Sequence, residues 1–483
     1  MRCARFIFAI ALAGCGRWQF DVVDKGSSDA AADANSDATG DGNTNGHARS
    51  SCNWQRPAVP APTGRTIYIA TNGNDANADG TMQRPYATLG AIEDVITAGD
   101  EVVYMPGTYS RQLVDFSGTE QKPIVIRSLT RGAATITGTG SANEFDGALA
   151  LNNQSNLVID GFVINSNIGR SVSAEAATRV TIQNNDIGNA KSSCVVVSGD
   201  NIAVDYNHVH DCELGASGAS NGGAAISVNW INFVSTNIRM TRNTIHDVWG
   251  QGITLLRTKG AKVEDNTIFN ATVNLTLDAV TNVSIERNLM YRIDARYDIG
   301  MPTPGIMMSN VDFPVNAAPW NEITDDISVV NNVFMRTNWA FGYYCATRTS
   351  GQANNGFDRI DFMHNLVLEQ LEGSVYLHET CPGAPAPVQM RVLNNVIQNA
   401  PTGAVGAWTT VRNNCIENAE ALGNGNGATP PCNVSSVFPP SDVGVTLTTG
   451  APVLGAGTAS GVTTDLLCRP RGPAPTIGPY ELP

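Results

Sequence analysis

This sequence has little charge. Only 15% of its 483 residues are Asp, Glu, Lys or Arg, while 47 are Gly. A helical bundle draws on Ala, Leu, Glu and Lys, so this composition argues against one and suits many short strands joined by turns. Basic residues are scarcer still. Thirty Lys and Arg stand against 44 Asp and Glu, a formal net charge of -14. Phosphate binding rests on Lys and Arg, so general nucleic-acid binding is excluded. A polyanionic substrate would need a local basic patch or a bound cation to invert the field. No Cys-x-x-Cys or His/Cys metal spacing is present, which argues against zinc. Gly-rich phosphate loops, a Gly-x-Ser-x-Gly elbow and a His-Glu-x-x-His motif are also missing.

The apolar run Phe6 to Leu12 is too short to span a bilayer as a mature helix. It follows Arg2 and Arg5 and leads into Leu12-Ala13-Gly14-Cys15. This resembles the bacterial lipobox, and the expectation is a lipoprotein signal peptide over 1–15 with Cys15 lipidated. The protein is then exported and touches membrane through its anchor alone, at the outer membrane or cell surface. Residues 16–64 are rich in Asp, Ala, Ser and Gly and read as a disordered tether. The folded domain is expected over 65–483. Its size alone calls for two cores or a repetitive architecture. After Cys3 and Cys15, eight Cys remain, an even number that suits disulfides in an exported chain. Spacing pairs Cys194 with Cys212, Cys345 with Cys381 and Cys415 with Cys432, leaving Cys52 with Cys468.

One short pattern repeats. It reads Val180-x-Ile182-x-x-Asn185-x-Ile187, then Ile202-x-Val204-x-x-Asn207-x-Val209, then Ile238-x-Met240-x-x-Asn243-x-Ile245. Further copies centre on Asn266, Asn288, Asn332, Asn365, Asn395 and Asn414. Alternation at period two makes a strand with one buried face. The Asn stands where the apolar run breaks, so it marks a turn and is expected to adopt αL there. Stacked at one corner of successive coils, such amides form a ladder. The predicted fold is all-β, a solenoid.

This pattern resembles the right-handed parallel β-helix of the pectate-lyase-like superfamily. So do Tyr68-Ile69-Ala70-Thr71-Asn72-Gly73, the segment Val102-Val103-Tyr104-Met105-Pro106-Gly107 and the ending Ile477-Gly478-Pro479-Tyr480-Glu481. The resemblance covers 65–483 and implies about 10–12 coils. Leu89 to Ile96, with apolar residues at 89, 92, 95 and 96, is expected to be a short N-terminal capping helix over the open end.

The resemblance also implies a polysaccharide groove along the strands that follow the Asn strands. On that sheet or its loops lie the candidate substrate-binding residues Asn229, Trp230, Trp249, Asn274, Tyr297, Tyr344 and His378. The candidate catalytic residues are Arg257, Lys259, Asp278, Asp211, Glu213, His246 and Asp247. Lys or Arg suits a β-eliminating lyase, for which related proteins imply Ca²⁺ as cofactor. Paired carboxylates suit a glycoside hydrolase. Neither the superfamily's acidic calcium motif nor the Asp-Asp signature of polygalacturonases is recognisable. A third reading is a monomeric, non-catalytic carbohydrate binder or surface-display scaffold. Asp75-x-Asn77-x-Asp79-Gly80 fits half a calcium loop or an ordinary polar turn.

Overall fold

The structure is a computed structural model. It describes residues 58–139, 147–216, 223–228, 234–298, 303–309, 324–344, 356–377, 386–400, 408–417, 432, 434–436, 445–447 and 453–481. Cys15, Cys52, Asn229, Trp230, Cys345, His378 and Cys381 lie outside the described residues, as does the side chain of Tyr344.

Each repeat becomes one coil of three short strands. One example is Ala203–Asp205, then His208–Cys212 after the ladder Asn207, then Ala224–Val228. Along the coil the strands pair in parallel with their counterparts one coil on, and only Val434–Ser436 and Val445–Leu447 among the described strands pair antiparallel, in a sheet of their own. Ile182 faces Val204, which faces Met240; Ile187 faces Val209, which faces Ile245; Val195 faces Ile226, which faces Ile253. These side chains are fully buried and form one continuous core. The period-two alternation therefore does what it predicted: one face of each strand fills the coil, the other looks out.

The nine asparagines stack in a single file. Asn207 is typical. Its Nδ2 donates to Asn243 Oδ1 at 3.1 Å and to the Ile182 carbonyl at 2.9 Å. Its Oδ1 accepts from the backbone and side-chain N–H groups of Asn185, both at 3.1 Å. The same bonds run on through Asn266, Asn288, Asn332, Asn365, Asn395 and Asn414. A fully satisfied buried amide is stable in the core, and an orphaned one is costly.

One detail of the turn is corrected. The left-handed residue is not the ladder Asn but the one before it: Asn184, Tyr206, Arg242, Asp265, Arg287, Asn331, His364, Asn394 and Asn413 all have φ between 54° and 61°. The strained position turns the chain, leaving the next residue free to aim its amide inward.

Four of those corner residues also dock the C-terminal segment. Asn331 Nδ2 donates to Thr464 O, Asn394 Nδ2 to Thr458 O and Asn413 Nδ2 to Ala456 O. His364 bonds Ser460 and Gly478. The segment covers a second apolar cluster on the outside of the coil, made by Leu289, Tyr291, Val333, Met335, Leu366 and Leu368 with their neighbours. Arg471 pins it, bonding Glu481, Asn331 Oδ1 and the Gly478 carbonyl.

The expected capping helix is a single 3-10 turn, Gly90–Ile92. Leu89 and Ile92 still plug the first coil, but Val95 is exposed. Eight residues that begin Leu-Gly cannot offset helix nucleation, and Asp100 holds Thr97 N at 2.8 Å, stopping the chain. No helix among the described residues is long and apolar enough to cross a membrane. Disulfides join Cys194 to Cys212 and Cys415 to Cys432. Cys468 is disulfide-bonded too. At 75–80 the carboxylates are taken by local backbone: Asp75 accepts from Ala87 N and Thr88 N, Asp79 from Thr81 N. That stretch is a polar turn.

Candidate functional site

The outer face of the strands that follow the ladder carries a different pattern in each half. Toward the C-terminus it is apolar and covered. In the middle coils it is polar and open, and there it gathers titratable groups. Alternation along His208-Val209-His210 buries Val209 and turns both imidazoles outward. Register then adds neighbours from other coils. Asp186 faces His208, and His210 faces His246, which faces Phe269, which faces Tyr291.

The result is a hydrogen-bonded line. Asp211 Oδ2 lies 2.7 Å from His210 Nδ1, and His210 Nε2 lies 3.0 Å from Asp186 Oδ1. Asp186 Oδ2 is 3.2 Å from His208 Nδ1, and His208 Nε2 is 2.8 Å from His246 Nε2. His246 Nδ1 reaches Asp247 Oδ2 at 2.9 Å, and Asn270 Nδ2 donates to Asp247 Oδ1 at 2.9 Å. The rings are stacked as well: His210 on His246 at 5.6 Å, His246 on Phe269 at 4.9 Å, Phe269 on Tyr291 at 4.9 Å. Gly188 makes room at the near end, where a Cβ would come within 2.8 Å of His210 Cε1.

The backbone explains the two flanking carboxylates. Asp211 and Asp247 hold left-handed φ of 51° and 56° at the corner where this sheet turns into the next. Asp and Asn tolerate that conformation best among residues with a side chain. The disulfide Cys194–Cys212 ties the same corner two residues past His210. The site is thus anchored by a ladder on one side and a covalent strap on the other.

Charges respond to this packing. Burial alone would lower the His210 pKa, but Asp186 and Asp211 outweigh it and raise it to about 9. Burial would raise Asp186, yet His208 and His210 hold it well below the usual carboxylate range. Asp247 is likewise lowered: burial opposes the shift, while His246 and Asn270 favour it. The line stays open to solvent. The side chains of Asp186 and Asp211 are 45% exposed and that of His208 39%.

Beside it stands an aromatic shelf. The Trp249 and Tyr297 rings meet at 4.9 Å, and the exposed Arg296 guanidinium lies 5.8 Å from the Tyr297 ring centre. Burial and the neighbouring Asp247 raise the Tyr297 hydroxyl's pKa, keeping it protonated.

Of the residues singled out by sequence, the structure brings together Asp211, His246, Asp247, Trp249 and Tyr297. It does not bring Glu213, Arg257, Lys259 or Asp278 into that line. Glu213 is buried, with Oε1 3.0 Å from Ser193 Oγ and its carboxylate filling the space where a Gly223 Cβ would stand. Arg257 and Asp278 are buried on adjacent coils of the third sheet, where Leu256 faces Asp278. Lys259 lies beyond that corner, in Thr258–Glu264. Asn274 is corrected. It was expected to face the groove, but it is fully buried, flanked by Gly252 and Gly305, in register with the core residues Ala225 and Ala340. The strand enters through a corner there, so two consecutive residues turn inward and strict alternation fails. Sequence reasoning missed Asp186, His208 and His210. His-x-His in a predicted strand was an available signal, because that spacing puts both rings on one face.

No protein-family model matches the chain. It is 32% identical over 150 residues to the uncharacterized protein YwoF of Bacillus subtilis (strain 168), a match over 30% of this chain and 29% of that protein. It is 23% identical over 277 residues to a polygalacturonase of Fusarium fujikuroi, 52% of this chain and 67% of that protein. Among solved structures, XylC in complex with xylose superposes with a TM-score of 0.57 at 11% identity, over 86% of this chain and 98% of that one. The chain is a right-handed parallel β-helix. That hand is the one a parallel crossover between twisted strands takes almost without exception. The resemblance to the pectate-lyase-like superfamily therefore holds at the level of fold, and a fold alone does not fix chemistry.

Proposed function

We propose that the chain is an exported polysaccharide-cleaving enzyme, a uronate-directed lyase, with its proton-transfer centre in the histidine–aspartate line. The observation that carries this reading is three imidazoles held between three carboxylates on an accessible rim, beside an aromatic shelf and an exposed guanidinium. β-Elimination needs a base for the proton α to the uronate carboxylate and a cation for that carboxylate. The His208–His246 pair takes up the proton, with Asp247 behind it to balance the charge. Arg296 meets the uronate carboxylate, and Trp249 offers a ring face to a pyranose. As the C–H bond breaks, the pair forms the new double bond, the glycosidic C–O bond breaks, and the leaving oxygen takes a proton from the site or solvent.

A second reading is hydrolysis. It is favoured by the similarity to a polygalacturonase and by the exposed carboxylates Asp186 and Asp211. One assay separates the two. The full chain is offered a panel of uronic-acid polymers and neutral glycans, with ultraviolet absorbance of unsaturated ends and new reducing ends both followed. Absorbance growing with reducing ends supports the lyase, and reducing ends alone support the hydrolase. Glycan binding with neither signal overturns the enzymatic reading and leaves a binding protein. Lipidation at Cys15, with 16–64 as tether, would hold the coil outside the membrane; mass spectrometry of the mature N-terminal peptide tests it.

A further inference from the structure

We infer that Asp186, His208 and His210 form a binding site for one first-row transition-metal dication of the Zn²⁺ type. Their ligand atoms all lie within 4.8 Å of one another, and each side chain is partly accessible. His210 Nε2 lies 3.0 Å from Asp186 Oδ1 and His208 Nδ1 lies 3.2 Å from Asp186 Oδ2, so the two imidazoles address the two oxygens of one carboxylate, and an ion seated on that carboxylate would meet both rings.

The hydrogen bonds supply an independent argument. His210 aims both ring nitrogens at carboxylates, Nδ1 at Asp211 and Nε2 at Asp186. His208 aims Nδ1 at Asp186 and Nε2 at His246. A nitrogen lone pair facing a carboxylate oxygen is repulsive. Each nitrogen on Asp186 must therefore carry a proton or share a cation with it. Two protons there and one dication are equal in charge, so a metal replaces them with no change in the balance of the cluster.

Everything behind the three ligands is arranged as an outer shell. With the ion on Nε2 of His210, its Nδ1–H still donates to Asp211. With the ion on Nδ1 of His208, its Nε2–H still donates to His246, whose own Nδ1–H donates to Asp247. Carboxylates that orient metal-bound imidazoles in this way fix the tautomer and raise ligand basicity. Two imidazoles and one carboxylate select Zn²⁺, Cu²⁺ or Ni²⁺ over Ca²⁺ and Mg²⁺, which want oxygen. Three protein ligands leave a coordination position on the solvent side of Asp186, the pattern of a reactive rather than a structural site. The inference does not depend on a polysaccharide substrate, because binding is measured with the metal alone.

The test uses the full chain, stripped with a chelator and dialysed to equilibrium against Zn²⁺, with Ca²⁺ as control. One Zn²⁺ per chain is expected, absent from His208→Gln and His210→Gln. Asp211→Asn should weaken it by roughly 10–100-fold. X-ray absorption on the Zn²⁺-loaded wild type should show two imidazole nitrogens and carboxylate oxygen, a readout that needs no variant to fold. No Zn²⁺ bound, binding unchanged in both Gln variants, or a shell without imidazole would each overturn the site.

Discussion

His364 makes the closure of the coil sensitive to acid, and the size of the effect can be worked out. The side chain is fully buried under the C-terminal segment. Asn394 Nδ2 can only donate, at 3.1 Å to Nε2, so Nε2 is the acceptor. The proton sits on Nδ1 and points at the Gly478 carbonyl, 3.3 Å away. A second proton would have to enter at Nε2, against an amide donor and close to Arg471. Burial first, and Arg471 second, hold the pKa down to about 3 from an ordinary 6.5. The folded pKa is below the unfolded one, so the unfolded chain binds more protons between these values. Stability is fully present above about pH 6.5 and is lost as pH falls toward 3. At pH 5 the loss is about 2 kcal/mol, and that figure is set almost wholly by the unfolded pKa. His364→Gln keeps one donor and one acceptor but does not titrate. The free energy of opening the segment, read from hydrogen exchange at Leu466 and Ile477, is compared for wild type and variant at pH 7.5 and pH 5. The wild-type advantage should shrink by about 2 kcal/mol. Taking the difference cancels the carboxylates common to both proteins. A difference that does not change with pH would refute the reasoning.

Two further outcomes follow from the coil. Asn266→Ala should cost about 3–5 kcal/mol, measured by denaturant unfolding, because Asn243 loses the acceptor of two N–H groups and the Met240 carbonyl loses its donor. Replacing Cys194 and Cys212 together by Ala removes a crosslink over a sequence separation of 18. The expected cost is about 3 kcal/mol, with faster amide exchange at His210 and Asp211, read by hydrogen exchange.

The fold was legible because its signal is repetitive and local. Each coil restates the same apolar alternation and the same Asn, and nine repeats tolerate several imperfect ones. The turn itself was misplaced by one residue, since the left-handed position accepts Tyr206, Arg242 and Arg287 as readily as Asn184 and so leaves no compositional trace. The N-terminal cap kept its apolar plug but not its helix, because plugging needs only Leu89 and Ile92 while a helix needs length. The site was half legible. His246-Asp247 drew notice as a pair in sequence and Asp211 as a loop carboxylate. Asp186 comes from the coil below and His208 and His210 from between them, and only register aligns groups 22 and 38 residues apart. Burial was the other hidden quantity. Asn274 and Asp278 look like groove residues by alternation, but a corner turns one inward and packing covers the other.

The claim on which the functional account rests is that cleavage happens at the rim cluster and not on the third sheet. Rates of polysaccharide cleavage by Asp186→Asn and Asp278→Asn, two isosteric changes on neighbouring sheets three coils apart, test it directly. Asp186→Asn should lower kcat/KM by about 100-fold or more, the usual loss when an acid–base centre is disabled. Asp278→Asn should leave it near wild type. A silent Asp186→Asn with an inactive, folded Asp278→Asn would contradict the account and move the chemistry to the third sheet.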